Sequence, residues 1–253
     1  MDAHQRLQAI LDLLDNQGSV TVSDLAARCQ VTGMTVRRDL DTLERKRLLR
    51  RVRGGAVSAQ GRSYEPPLIR RTREHPEEKR RIGAAAADLV KDGESIAVDV
   101  GTTAVEVARH LVRRHNLTVV TPSFQVATLL AEQPTLRVIL TGGVLRPGEY
   151  SLMGPLAERA FQEFFLDKIF LGIGGIHLDT GLSEFSQEDA MVKRAMIASA
   201  KEVIVIADAS KFGKKVFAAV APLTAVHRVV TDASIRRDVL SRLKAKGIEV
   251  VVA

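Results

Sequence analysis

The chain has a single cysteine, Cys29, in 253 residues. No intrachain disulfide can form, so a reducing interior is the natural setting and Cys29 is expected to be a small packed side chain. The six histidines are dispersed, His110 and His115 standing five apart rather than four, and there is no cysteine pair to complete a tetrahedral set. No metal site is expected. No apolar run approaches the roughly 20 residues that span a bilayer, and no secretory leader pattern is visible. A cytoplasmic protein without membrane contact follows as the expectation. P-loop and nucleophile-elbow patterns are also missing, and Gly172-Ile173-Gly174-Gly175 lacks the third spaced glycine of a dinucleotide fingerprint, which leaves it as a tight strand exit. No cofactor and no catalytic residue are assigned.

What is present is unevenly distributed. The formal charge is +7, with 17 Lys or Arg against 11 Asp or Glu in residues 1–81 and 20 against 19 thereafter. Almost all of the excess is amino-terminal, which fits a polyanionic partner there. The length accommodates one small and one large domain, each with its own core.

The amino-terminal part carries its own pattern. Thr21-Val22-Ser23-Asp24 resembles a capping box opening a short helix through Ala27, and Cys29-Gln30-Val31 is the right length for a tight turn. From Gly33 a second helix places Val36, Leu40 and Leu43 on a core face and Met34, Arg38, Asp41 and Arg45 opposite. Leu48 to Val57 reads as two short strands around a basic turn at Arg53 and Gly54, a wing. Helix, turn, helix and wing in that order predict a winged helix-turn-helix domain over residues 1–57 that binds a double-stranded DNA operator. The expected contacts are Thr32, Met34, Thr35, Arg37, Arg38, Arg45, Arg51, Arg53, Gly54 and Gly55. Arg38 is assigned to a base edge and Arg37 to phosphate, with Asp41 steadying Arg38.

Residues 58–75, with Gly61, Ser63, Pro66 and Pro67, read as a linker. Over residues 76–253, helical stretches alternate with continuous apolar runs at Ser95 to Val98, Leu117 to Val120, Leu136 to Leu140, Ile169 to Ile173, Val203 to Ala207, Val229 to Thr231 and Glu249 to Val252. That alternation predicts a three-layer α/β, Rossmann-like domain with a mostly parallel sheet. In such sheets ligands collect beyond the carboxyl ends of strands. Gly101-Thr102-Thr103 turns from a strand into a helix and can cradle an anion, while Ser123, Gly142, Gly143, Asp208, Ser210 and Lys211 fall after other strands. Lys211 is expected to neutralise a phosphate, and Asp99 and Asp208 to accept from sugar hydroxyls.

These motifs resemble the DeoR family of bacterial transcriptional regulators. The resemblance runs through the Arg37-Arg38-Asp39-Leu40 helix, the Gly54-Gly55-Ala56 wing, Asp99-Val100-Gly101-Thr102-Thr103, Thr141-Gly142-Gly143 and Asp208-Ala209-Ser210-Lys211-Phe212-Gly213, in the family's order. The chain departs from the family at Pro122, where an asparagine is usual, at Asp189, where a glutamate precedes the helix lysine (here Lys193), and at Gly33. The resemblance implies a sensor domain with the fold of ribose-5-phosphate isomerase, glucosamine-6-phosphate deaminase and coenzyme A transferases, a phosphorylated-sugar effector, and Lys193 as a further effector-site residue. The expected function is a homo-oligomeric repressor of a carbohydrate-metabolism operon relieved by that effector. The competing reading is a sugar-phosphate isomerase or deaminase, for which Asp99, Glu188, Asp189, Lys193 and Lys211 supply acid and base groups.

Overall fold

The computed structural model describes residues 2–46, 48–58 and 61–253, and the chain divides into two compact units, residues 1–64 and 65–253. Among the described residues no helix is long and apolar enough to cross a membrane.

The first unit opens with α1 (Ala3–Gln17), which begins in a reciprocal capping box between Asp2 and Gln5 and ends at left-handed Gly18. Strand β1 (Ser19–Thr21) leads into α2 (Val22–Cys29), capped by the Thr21 hydroxyl, which accepts from the Asp24 N–H. After a short turn come α3 (Gly33–Arg45), β2 (Leu49–Val52) and β3 (Gly55–Ser58). Ile10, Leu14, Leu25, Val36, Leu40, Leu43, Leu49 and Ala56 form one core, and Cys29 is buried at the end of α2. The two expected wing strands are present, and β1 joins them as a third, in the order β1-β3-β2. Three residues with only Val20 inward give too short an alternation to announce a strand.

Glycine is obligatory at position 55. A Cβ there would lie 2.0 Å from the Val20 carbonyl oxygen on β1, so Gly55 serves strand packing rather than approach to a duplex.

The second unit begins with α4 (Leu68–Arg73) and α5 (Pro76–Asp88), followed by β4 (Ser95–Val98), α6 (Thr102–Leu111), β5 (Thr118–Thr121), α7 (Phe124–Ala131) and β6 (Arg137–Leu140). A small hairpin of β7 (Val144–Leu145) and β8 (Leu152–Met153) precedes α8 (Pro155–Gln162) and β9 (Leu166–Leu171). Then come β10 (Gly175–His177), β11 (Gly181–Glu184), α9 (Gln187–Ser199), β12 (Ala200–Ile206), a 3-10 turn at Ala209–Lys211, β13 (Ala218–Ala221), β14 (Arg228–Thr231), α10 (Arg237–Ala245) and β15 (Glu249–Val252).

Seven strands form one sheet in the order β15-β14-β12-β9-β4-β5-β6, every pair parallel. The pleat sorts alternate residues into two cores: Ile96 and Val98 of β4 face α5, α6 and α7, while Ala97 faces the side of α8 and α9. Each expected apolar run is one of these strands, and the three-layer arrangement follows. The antiparallel sheet β10-β11-β13 is additional. Within the span read as a linker, residues 59 and 60 lie outside the described residues. From Glu65 onward the chain packs into the second unit, with Leu68 buried.

The overlap at position 55 gives a direct test of the wing. Gly55→Ala should destabilise the first unit by about 3 kcal/mol, the upper end for overpacking, as a fall in its urea midpoint. An unchanged midpoint would show that β1 does not pack against β3 as described.

Candidate functional site

In the first unit, α3 is started by Thr32, whose hydroxyl accepts from the Thr35 N–H at 3.2 Å and lies 3.0 Å from the Thr35 hydroxyl. Its inner face is fixed from below. Arg6 of α1 grips Asp39 through Nε at 2.5 Å and Nη2 at 3.1 Å, a two-pronged pair with both partners mostly buried. Met34, Arg37, Arg38 and Arg45 are exposed, Met34 at 60%. Arg53 and Gly54 are exposed at the wing tip.

Asp41 does not steady Arg38. Its carboxylate pairs with Arg51 of β2, whose guanidinium also reaches the carbonyls of Arg37 and Gly55, both at 3.4 Å. The Arg51 N–H donates to Glu44 at 2.7 Å. Arg51 therefore ties the wing to the outer face of α3.

In the second unit the strand order places β4 beside β9, and the chain leaves β4 toward β5 and β6 on one side and β9 toward β12, β14 and β15 on the other. This is the point where a doubly wound sheet opens a crevice. Asp99 follows β4 and Gly172 follows β9. The Gly172 N–H donates to Asp99 Oδ2 at 3.0 Å, and Lys193 Nζ of α9 donates to the same oxygen and to the Gly172 carbonyl at 3.1 Å. Glu184 Oε2 lies 3.5 Å from the ammonium. Asp99, Lys193 and Glu184 are all buried. Burial alone would strip the proton from Lys193, but Asp99, Glu184 and Asp189 outweigh it and hold the ammonium charged, above its ordinary range.

Over this buried pair lies a cleft partly open to solvent. One wall is the start of α6. Gly101, at φ +101°, bends the backbone into the helix, and no side chain caps it. The first amides of a helix have no partner within it, and with the helix dipole they attract an anion. Lys211 also lines the cleft, and its side chain forms no hydrogen bond or close ion pair among the described residues. Beside it Asp208 accepts from the Ser210 N–H at 3.0 Å. Burial works against the Asp208 carboxylate, but Lys211, Ser210, Lys79 and His75 more than compensate and lower its pKa. Lys79 of α5 is buried and donates to the carbonyls of Arg71 and Glu74 at 2.5 and 2.6 Å. Desolvation pulls its pKa down to about 8.

A chain of paired charges lines the cleft as well. Arg146 reaches Glu65 at 2.8 Å and Asp189 at 2.6 Å, and Arg71 reaches Glu65 at 2.9 Å and also Glu149. Burial pushes the Asp189 carboxyl up to about 6, with Lys193 and Arg146 only partly opposing.

Residues 6–62 match the DeoR-like helix-turn-helix domain, and residues 74–233 match the DeoR C terminal sensor domain. An uncharacterized HTH-type transcriptional regulator of Bacillus subtilis (strain 168), YulB, is 35% identical over 246 residues, covering 97% of this chain and 95% of that one. The glycerol-3-phosphate regulon repressor of Escherichia coli (strain K12) is 34% identical over 233 residues, 92% of each chain. The chain belongs to the DeoR family. It is a DNA-binding transcriptional regulator, not the isomerase or deaminase of the competing reading. Among solved structures, ribose 5-phosphate isomerase from Methanocaldococcus jannaschii is similar over 56% of each chain, at 21% identity and a TM-score of 0.43.

In this DeoR-family sensor domain Gly101, Thr102, Thr103, Lys193, Asp208, Ser210 and Lys211 line one cleft, as the sequence grouped them. Asp99 does not face it: at 1% exposure its carboxylate is committed to Lys193 and to the Gly172 N–H. Ser123 is buried and caps α7, accepting from the Val126 N–H at 3.2 Å. Gly142 and Gly143 precede the β7 hairpin outside the lining. Lining residues that the sequence reading did not assign include Glu65, Arg71, Lys79, Arg146, Glu149 and Ser151.

The raised Asp189 pKa has a signed consequence. Between its ordinary value of 3.8 and about 6, the folded state keeps a proton that the unfolded chain has lost, so Asp189 lowers stability as pH rises through that window and adds no further change above it. Relative to Asp189→Asn, the unsubstituted protein should lose about 2 kcal/mol between pH 4 and pH 6.5 in urea titrations. A difference between the two proteins that stays flat with pH would contradict this environment.

Proposed function

We propose that the cleft takes a phosphorylated sugar or closely related metabolite, and that its occupancy weakens the hold of the first unit on an operator, so that the protein represses a carbohydrate-metabolism operon until the effector accumulates. One observation carries the reading: the start of α6 is uncapped, and Lys211 lines the same cleft together with paired carboxylates and guanidinium groups. The amides and Lys211 meet the charge of a phosphate, and fixed polar groups suit hydroxyls. The E. coli relative is named for repressing the regulon of a phosphorylated metabolite, glycerol 3-phosphate.

Lys79 adds a response of its own. An ammonium whose pKa is about 8 is drawn back to full charge by an arriving dianion, so binding at mildly alkaline pH takes up protons.

Coupling to DNA runs through the start of the second unit. Residues 65–79 follow directly on the first unit and supply Glu65, Arg71, Glu74, His75 and Lys79 to the cleft. An effector that rearranges those pairs acts on the segment through which the two units are joined. It shifts operator affinity only to the extent that it binds the DNA-competent and DNA-released forms of the protein unequally. Repeated half-sites are the usual operators for this motif, so we place the protein as a homo-oligomer acting in the cytoplasm.

On the DNA side, Thr32, Met34, Thr35, Arg37 and Arg38 present the reading surface, with Arg45 and Arg53 on phosphates. Arg51 contributes by fixing the wing. Arg38→Ala should cost about 1 to 3 kcal/mol of operator preference over random DNA, measured by titration at several salt concentrations; an unchanged preference rejects base reading by Arg38. On the effector side, Lys211→Ala should weaken sugar-phosphate binding about tenfold or more in calorimetry and leave operator affinity intact. Equal binding of ribose 5-phosphate and ribose, and of glucose 6-phosphate and glucose, would overturn the phosphate cradle.

A further inference from the structure

Ser151 is 1% exposed, lines the cleft, and its hydroxyl has no hydrogen-bond partner among the described residues. Burying a hydroxyl unpaired is costly, and an alanine would occupy the same space without that cost. The backbone around it is anchored on both sides. Ser151 pairs with Ser123 in an antiparallel bridge, and its carbonyl accepts from the Arg146 N–H at 2.8 Å. On either side the Phe124 N–H donates to the Tyr150 carbonyl at 2.9 Å, and the Leu152 N–H donates to the Pro122 carbonyl at 2.7 Å. The side chain is thus held rigidly with its one polar group unspent.

Its position says what it meets. Ser151 is anchored beside Ser123, beyond the end of β5, whereas Ser210 and Lys211 follow β12. Between β5 and β12 lie β4 and β9, and three strand intervals of about 4.8 Å separate the two flanks by roughly 14 Å. Ser151 and Lys211 are thus anchored on different flanks of the cleft. The charged groups nearest Ser151 along its own loop, Arg146 and Glu149, are already paired with Glu65, Asp189 and Arg71, so this flank offers hydrogen bonds rather than net charge.

We propose that Ser151 Oγ hydrogen-bonds a hydroxyl of the effector's sugar part, on the β5 flank of the cleft, and that it is a determinant of preference for a sugar phosphate over bare phosphate. This rests on the phosphorylated-sugar reading given above.

The test is calorimetry on the full chain, unsubstituted and as Ser151→Ala, with inorganic phosphate, glycerol 3-phosphate, ribose 5-phosphate, fructose 6-phosphate and glucose 6-phosphate. Thermal unfolding of both proteins without ligand accompanies it. Ser151→Ala should weaken the best-bound sugar phosphate by about 3- to 10-fold, leave inorganic phosphate unchanged, and leave the unliganded Tm unchanged or higher. Equal losses for the sugar phosphate and inorganic phosphate, or no loss for either, would overturn the assignment. So would a lower unliganded Tm, because the hydroxyl would then serve the fold. If the unsubstituted protein holds inorganic phosphate as tightly as every sugar phosphate, the Ser151 inference falls and the anion cradle stands. If it binds none of the five, both fall together.

Discussion

The ammonium of Lys193 is the interaction on which the sensor unit's geometry depends. It reaches from α9 to Asp99 after β4 and to the Gly172 carbonyl after β9, across the crevice where the parallel sheet changes direction. A buried pair of this kind is weak evidence for stability, since desolvation consumes most of the attraction, but removing one partner leaves an uncompensated charge. Its contribution here is positional. By holding the two strand exits together it fixes where Gly101 starts α6 and where residues 172–174 turn away, and so sets the floor of the cleft.

Charge in the first unit is used differently. Arg6 and Asp39 clamp α1 to α3, and Arg51 with Asp41 and Glu44 clamps the wing to α3. The remaining arginines of the helix, Arg37 and Arg38, are exposed. One set of cations sets the shape and another is presented outward, so substitutions in the two sets should be separable: the first through folding, the second through operator preference and salt dependence.

Much of this was legible in the sequence because the signals were local. Each strand of the large sheet is a run of β-branched apolar residues between helices, and the helix caps at Thr21 and Thr32 sit directly before the periodic faces they start. The strand β9 begins at Leu166 rather than Ile169 because Asp167 and Lys168 break the apolar run, and Lys168 is paired with Glu94. The strands β10, β11 and β13 stayed hidden because Gly175, His177, Gly181 and the alanines of β13 carry no strand signature. Partners far apart in sequence were the harder problem. Asp99 looked available until Lys193, 94 residues away, was found to occupy it. Asp41 looked suited to Arg38, its neighbour on the helix, but Arg51 competes for it from the wing. Glu65 and Arg71 lay in a stretch whose prolines and charges read as a linker, and nothing in their spacing marked them as cleft residues.

Amide hydrogen exchange on the full chain, with and without saturating sugar phosphate, tests the central claim most directly. The account requires new protection concentrated in peptides covering residues 100–104, 146–151, 172–174 and 208–211, since these line the cleft over the Lys193 pair. Saturating ligand that leaves those peptides unchanged while protecting another part of the chain would contradict it.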